Sequence, residues 1–367
     1  MKKIICLLLC LSFVFSAKLN ALGISAKSYI LINGDTGETV SEQNADMKLA
    51  MASTTKIMTA LILCEKLPLD KKYSVPEEAV LTEGTSMGLC CGDTVSARDL
   101  LYGMMLSSGN DAANTVALII GKSFENFAYL MNQRAKEIGA LNTNFVTPSG
   151  LDSDEHYTTA RDLAIITMYA MKNKDFKKAV STKQITLCYG KNNAKHTLIN
   201  HYRLLRENNE IIGVKTGFTK KAGRCLVTAA KRHKKYLIAV TLNDGNDWAD
   251  HKELYNKGFT LLKSREINKK SVRSIPIASG GNILVEIPDV SIYSTGNLKL
   301  SAEINLPNMV YLPVKKGDRV GTLYCISEYK TVKEIALTVK DIKKINKTGK
   351  NGFFCCFCAM VFSVTGE

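Results

Sequence analysis

Ala50-Met51-Ala52-Ser53-Thr54-Thr55-Lys56-Ile57-Met58-Thr59-Ala60 puts a hydroxyl and an amine three residues apart, at the head of the helical apolar pattern Ile57, Ala60, Leu61, Cys64. Side chains three apart on a helix share a face one turn apart, close enough for the Lys56 amine to take the Ser53 proton. Serine alone is a poor nucleophile, and a neutral lysine beside it is one of the few activators that needs no histidine. Taken alone, the tetrapeptide reads first as a serine helix cap followed by a solvated lysine. The rest of the chain has to decide.

Upstream, Ser28 to Asn33 is strand-like, and Gly34-Asp35-Thr36-Gly37 carries hairpin turn chemistry into Glu38-Thr39-Val40. Downstream, Ser96-Ala97-Arg98-Asp99 heads a helical pattern that stops at Ser107-Ser108-Gly109-Asn110, and another helical run starts from Asp111 and Ala112. Ser123 and Thr159 cap two more. From Ile211 the period changes: Ile211 to Val214, Arg224 to Ala230 and Tyr236 to Leu242 read as strands, followed by a helix from about Asp247 to Leu262. Strands from both ends closing one antiparallel sheet, with the intervening helices on its faces, make an α+β domain. Ile283 to Ile287, Leu298 to Ile304, Val310 to Leu312, Arg319 to Ile326 and Thr331 to Thr338 are expected as short strands of a small all-β sandwich.

The first residues have a secretory leader's three parts: a charged head (Lys2, Lys3), an apolar run from Ile4 to Phe15, and the small residue Ala21 as a cleavage point. The expected organisation is therefore a signal peptide at 1–21, a peptidase-like domain at 22–265, a β-rich domain at 272–340 and a basic, then apolar, tail at 341–367. Phe353 to Val364 would span about 18 Å as a helix, short of the roughly 30 Å of hydrocarbon in a bilayer, so the tail is expected to lie at a membrane surface. The net charge of +15 comes from lysines spread along the chain without interleaved aromatics. In an exported protein, that suits anionic lipid and wall polymer rather than nucleic acid, for which no motif is present.

Eleven cysteines suggest a disulfide framework until sorted. Cys6 and Cys10 lie in the leader, and Cys355, Cys356 and Cys358 in the tail. The remaining six form no Cys-x-x-Cys pair, and the five histidines show no metal-ligand spacing, so no metal, redox couple or cofactor is expected. Cys64 and Cys225 read as core thiols, while Cys90-Cys91 could pair elsewhere or stay free.

Three motifs occur in order: Ser53-x-x-Lys56, Ser108-Gly109-Asn110 and Lys215-Thr216-Gly217. A second Lys-Thr-Gly at 347–349 lacks a preceding strand and is set aside, whereas Lys215 follows the strand-like Ile211 to Val214. Together the three resemble the signature of β-lactamases and penicillin-binding proteins. More narrowly they resemble the low-molecular-mass D-alanyl-D-alanine carboxypeptidases, a resemblance that extends through Thr147-Pro148-Ser149-Gly150-Leu151-Asp152 and His156-Tyr157-Thr158-Thr159-Ala160 and covers most of residues 24–262. It implies a transpeptidase-like fold, peptidoglycan stem peptides as substrate and β-lactams as inhibitors. Ser53 would be the nucleophile, Lys56 the base, Ser108 a proton relay, and Asn110 would orient Lys56 and the peptide. Lys215 and Thr216 would meet the terminal carboxylate, Gly217 would leave room for the peptide, and the N–H groups of Ser53 and Phe218 would form the oxyanion hole.

One departure stands out. Many family members carry an arginine after the last strand that helps hold the carboxylate, but Asn243 to His251 contains none. His251 or Arg224 could substitute, or be a loop residue and a strand-end charge. His156, also in a family-like position, reads as a structural hydrogen-bonding residue. The alternatives are a β-lactamase, for which no Glu-x-x-Leu-Asn segment separates the second and third motifs, and a non-catalytic wall-binding protein, which the intact motifs argue against.

Overall fold

The computed structural model describes residues 23–327 and 330–343. The expected leader, the tail from 344 onward and their five cysteines lie outside the described residues. Strands β1 (Ser28–Asn33) and β2 (Thr39–Gln43) form the opening hairpin. After a 3-10 turn, Ala52–Thr55, come α1 (Lys56–Lys66), α2 (Ala97–Leu106), α3 (Asn110–Gly121), α4 (Phe124–Glu137), α5 (Ala160–Ala170) and α6 (Lys174–Ser181). Then β3 (Ile211–Thr219), β4 (Gly223–Arg232) and β5 (Lys235–Leu242) complete a sheet of order β2-β1-β5-β4-β3, and α7 (Asp247–Leu261) follows. Every pairing in it is antiparallel, with Ile30 opposite Val240 and Val227 opposite Val240. This is the α+β, transpeptidase-like arrangement the motifs imply.

The sheet is covered on both sides, which is why its inner strands read as continuous apolar runs rather than alternating ones. All six residues of β1 are buried. Ile30, Ile32, Ile238 and Val240 face a core shared with α1, while Tyr29, Leu31, Leu237 and Ala239 face α7 through Leu254 and Phe259. Gly258 lets α7 approach: a Cβ there would lie 2.4 Å from Leu31 Cδ2. Ser96 and Asp99 close a capping box at α2, and Ser123 and Thr159 cap α4 and α5 as their sequences predict. Helix α1 is buried along Lys56 to Leu63, so even its lysine is dry.

Two differences come from local geometry. Ser53 is not a helix cap; it sits in the 3-10 turn that precedes α1, with no capping hydrogen bond. The described chain also divides into two compact units differently from the expected boundaries: residues 292–299 cluster with residues 23–265. Within that unit, buried Glu38 accepts from Thr295 N at 3.1 Å and Ser294 Oγ at 3.2 Å.

The second unit holds β6 (Ser271–Pro276), β7 (Asn282–Ile287), β8 (Leu300–Asn305), β9 (Arg319–Ser327) and β10 (Lys330–Lys343), in the order β6-β7-β10-β9-β8. One long strand serves both halves: β10 pairs with β9 through Thr338 and with β7 from Val339 to Lys343. It therefore runs past residue 340, where the β-rich domain was expected to end. The expected strand at Val310 to Leu312 reduces to one bridge, Val310 to Ile277.

Candidate active site

The chain places the three motifs around one cleft of about 890 Å³. A 3-10 helix has three residues per turn, so side chains three apart eclipse. The turn Ala52–Thr55 therefore stacks Lys56 onto Ser53, Nζ to Oγ 3.0 Å. Its other two partners are Asn110 Oδ1 at 2.7 Å and the Ser149 carbonyl at 2.7 Å. Asn110 donates its Nδ2 to the Glu83 carbonyl at 2.6 Å, which fixes the amide with its oxygen toward Lys56.

Burial, and next the nearby Lys215 cation, hold the Lys56 amine well below the usual lysine range, with Asp111 opposing them. Lys215 is buried too and is pushed down to about 7 by that burial; its Nζ donates to the Thr216 carbonyl at 2.8 Å. Among the described residues no carboxylate bonds to Lys56; its three partners are neutral oxygens. Ser108 lies in the bend between α2 and α3 with φ of 59° and lines the cleft.

Strand β3 is the edge of the sheet, and its free edge lies against the Ser53 turn. Gly217 favours that approach: a Cβ would sit 3.1 Å from Met51 O, Ser53 N and Thr54 N, each of which would have to give by a few tenths of an ångström. Phe218, 66% exposed, and Thr216 line the cleft beyond it.

The cleft also contains residues that the sequence reading left without a role. Glu83, Gly84 and Thr85 form one wall, and Asp111 holds the loop that follows them, accepting from Ser86 Oγ, Met87 N, Gly88 N and Leu89 N between 2.6 and 3.1 Å. No local signal marks this loop, since its partners start 22 residues or more away in sequence. The Ser149 carbonyl was within a family-like segment, but a backbone atom leaves no trace in residue type. His201, half-buried, is lowered by burial and by the Lys215 and Arg206 cations.

His156 is structural. Its Nδ1 accepts from Val146 N at 2.9 Å, and its Nε2 donates to Thr55 Oγ1 at 2.8 Å, whose own proton goes to Ala52 O. Burial pushes it down to about 4, so it braces the Ser53 turn as a neutral ring. His251, open in the sequence between a carboxylate ligand and a loop residue, lies in α7. It is buried beneath the sheet between Thr228 Oγ1 at 2.7 Å and Thr241 Oγ1 at 3.0 Å, outside the cleft. Arg224 does line the cleft.

Cys225 is buried and Cys64 partly so, and burial pushes both thiols up to about 12. Cys90, Cys91 and Cys188 are exposed free thiols. Among the described residues no group of three or more His, Cys, Asp or Glu side chains is placed to hold a metal.

A Ser–Lys pair seated between an antiparallel sheet and a helical layer, with a lysine on the sheet's edge strand, defines the class: a serine peptidase of the penicillin-binding type. A sequence profile of the D-alanyl-D-alanine carboxypeptidases matches residues 15–246. The chain is 30% identical over 336 residues to D-alanyl-D-alanine carboxypeptidase DacF of Bacillus subtilis (strain 168), covering 87% of this chain and 86% of that one. The structure resembles the D-alanyl-D-alanine carboxypeptidase DacD from Francisella tularensis, with a TM-score of 0.63 and 26% identity over 88% of this chain and 94% of that one. It likewise resembles the Streptomyces K15 DD-transpeptidase, with a TM-score of 0.62 and 34% identity over 65% of this chain and 98% of that one. The chain belongs to the D-alanyl-D-alanine carboxypeptidase family, serine-type hydrolases of the low-molecular-mass penicillin-binding class.

Proposed function

We propose that this chain removes the terminal D-alanine from peptidoglycan stem pentapeptides through an acyl-enzyme on Ser53, and that β-lactams acylate the same hydroxyl. The observation that carries the reading is the set of partners around Lys56. A neutral amine has two N–H bonds and one lone pair. Asn110 Oδ1 and the Ser149 carbonyl can only accept, so they take both N–H bonds and the lone pair is left for the Ser53 hydroxyl. Lys56 is thereby oriented as a base as well as depressed into one.

Attack of Ser53 Oγ on the carbonyl between the two D-alanines passes its proton to Lys56. The developing oxyanion would be met by the N–H groups of Ser53 and Phe218, on two elements that Gly217 holds together. Collapse breaks the peptide bond, and Lys56 returns the proton to the leaving amine with Ser108 as relay. Water then repeats the sequence on the acyl-enzyme and frees the shortened peptide. Lys215 and Thr216 would serve the substrate carboxylate, and the unpaired edge of β3 lets the peptide add as a strand.

Export and wall localisation are part of the reading, supported by the three-part pattern at 1–21 and the basic-apolar pattern at 341–367. Among the described residues no helix is long and apolar enough to cross a membrane. Mass spectrometry of a pentapeptide incubated with the chain tests the activity: loss of one alanine without a cross-linked product is expected. Uptake of a covalent penicillin label by Ser53→Ala would overturn the nucleophile assignment.

A further inference from the structure

Beyond Thr216 the cleft runs to Arg224, Asp247 and Trp248. In the β3–β4 ladder Arg224 stands directly opposite Phe218, two residues past Thr216, so its side chain shares the face of β3 that Phe218 presents. Asp247, with 5% of its side chain exposed, accepts from Arg224 Nη2 at 2.7 Å. The guanidinium carbon lies 5.9 Å from the centre of the Trp248 ring, and Arg203 lies 5.4 Å from the same ring. The bond to Asp247 is the one hydrogen bond from this guanidinium among the described residues, although the group carries five N–H donors and its side chain remains 47% exposed.

We propose that Arg224 grips the free C-terminal carboxylate of the substrate peptide, with Asp247 as the residue that positions it. The assignment rests on the carboxypeptidase reading above. It places on β4 a contact for which the segment 243–251 offers no arginine, and in which His251 is too deeply buried to take part. Three physical points support it. A planar guanidinium held at one corner keeps a two-donor edge for a carboxylate. Arginine stays charged at every working pH, whereas Lys215 sits near 7 and cannot supply a constant charge. Lys220, the other cation on this part of the cleft, is exposed on a flexible stem, so it offers a mobile point charge.

The test compares kcat/KM for a pentapeptide with a free C-terminus and for the same peptide as its C-terminal amide. Arg224→Gln should lower the free-acid value about 10- to 100-fold, the scale of a charge-assisted bond, and the amide value less than about threefold. Arg224→Lys should fall between, and Asp247→Asn should erode the acid-over-amide preference less than Arg224→Gln does. Equal losses on both peptides, or collapse of the preference in Lys220→Gln instead, would overturn the proposal. Acylation by a penicillin and by its methyl ester reads the same residue without D-alanine release. A wild-type chain that released no alanine but lost its acid-over-ester preference in Arg224→Gln would sink the carboxypeptidase reading and leave Arg224 standing.

Discussion

The carbonyl oxygen of Ser149 lies 2.7 Å from Lys56 Nζ, and it belongs to a loop whose next residue, Gly150, has φ of 90°. A Cβ at Gly150 would stand 2.0 Å from Ala52 O, so the loop can reach the amine only because nothing larger than glycine follows. A backbone acceptor, an amide side chain and a 3-10 turn thus converge on one buried nitrogen. That convergence buries the amine of a common tetrapeptide among neutral acceptors, as the proposed base requires.

Replacing Lys56 should abolish acylation without unfolding the chain. Lys56→Met removes the base and is expected to slow penicillin acylation by at least about a thousandfold. Lys56→Arg should fare no better, because a guanidinium stays protonated and cannot accept the Ser53 proton. Stopped-flow acylation rates decide, and a Lys56→Arg variant within tenfold of wild type would refute the role.

Asn110→Asp should move the pH profile. A carboxylate in place of the amide oxygen, 2.7 Å from Lys56 in the parent, stabilises the charged amine and raises its pKa. The acid limb of the acylation profile therefore shifts to higher pH. An unshifted limb would mean that Lys56 is not the group titrating there.

Gly217→Ala tests the close approach of β3 to the nucleophile turn. The added methyl would meet three backbone atoms at 3.1 Å, which must give by a few tenths of an ångström. Geometry of this kind is expected to cost about 10- to 100-fold in acylation while thermal stability falls by only about 1 to 3 kcal/mol. Unchanged acylation would show that the turn tolerates the shift.

Acid should destabilise the chain through two buried imidazoles. His251 is pushed down to about 3 and His156 to about 4, so between about pH 6.5 and 4 the unfolded chain binds their protons and the folded chain does not. Stability is then lost as pH falls, by about 1.4 kcal/mol per unit for each histidine within its window. Denaturant titrations from pH 7 to 4 measure the slope. His251→Gln should flatten it, and an equal slope in that variant would remove His251 from the account.

Much of the architecture is legible in the sequence because its signals are local. Ser28–Asn33 reads as a strand and is one, since six consecutive residues suited to a two-sided core leave few alternatives. Ser96, Ser123 and Thr159 mark helix starts because a capping hydroxyl acts within three residues of itself. The catalytic motifs are legible for the same reason: each is a short run of residue types. Less legible are Val310 to Leu312, reduced to one bridge, and the 3-10 rather than α-helical turn at Ser53, where packing decides between conformations of similar intrinsic preference.

By itself the sequence determined which groups could do chemistry: Ser53, Lys56, Ser108, Asn110 and the Lys215-Thr216-Gly217 strand, in the order of a known family. Only the tertiary structure decided their states. The Lys56 amine is held well below the usual lysine range because the fold buries it beside Lys215, with acceptors more than fifty positions away, and Lys215 sits near 7 because the fold dries it. His251 and Arg224 were equal candidates as letters, and the packing of α7 on the sheet separates them, sealing the imidazole in the core and leaving the guanidinium in the cleft. Residue type specifies what a side chain can donate, accept or ionise; burial and partners, which are long-range, specify which of these it does.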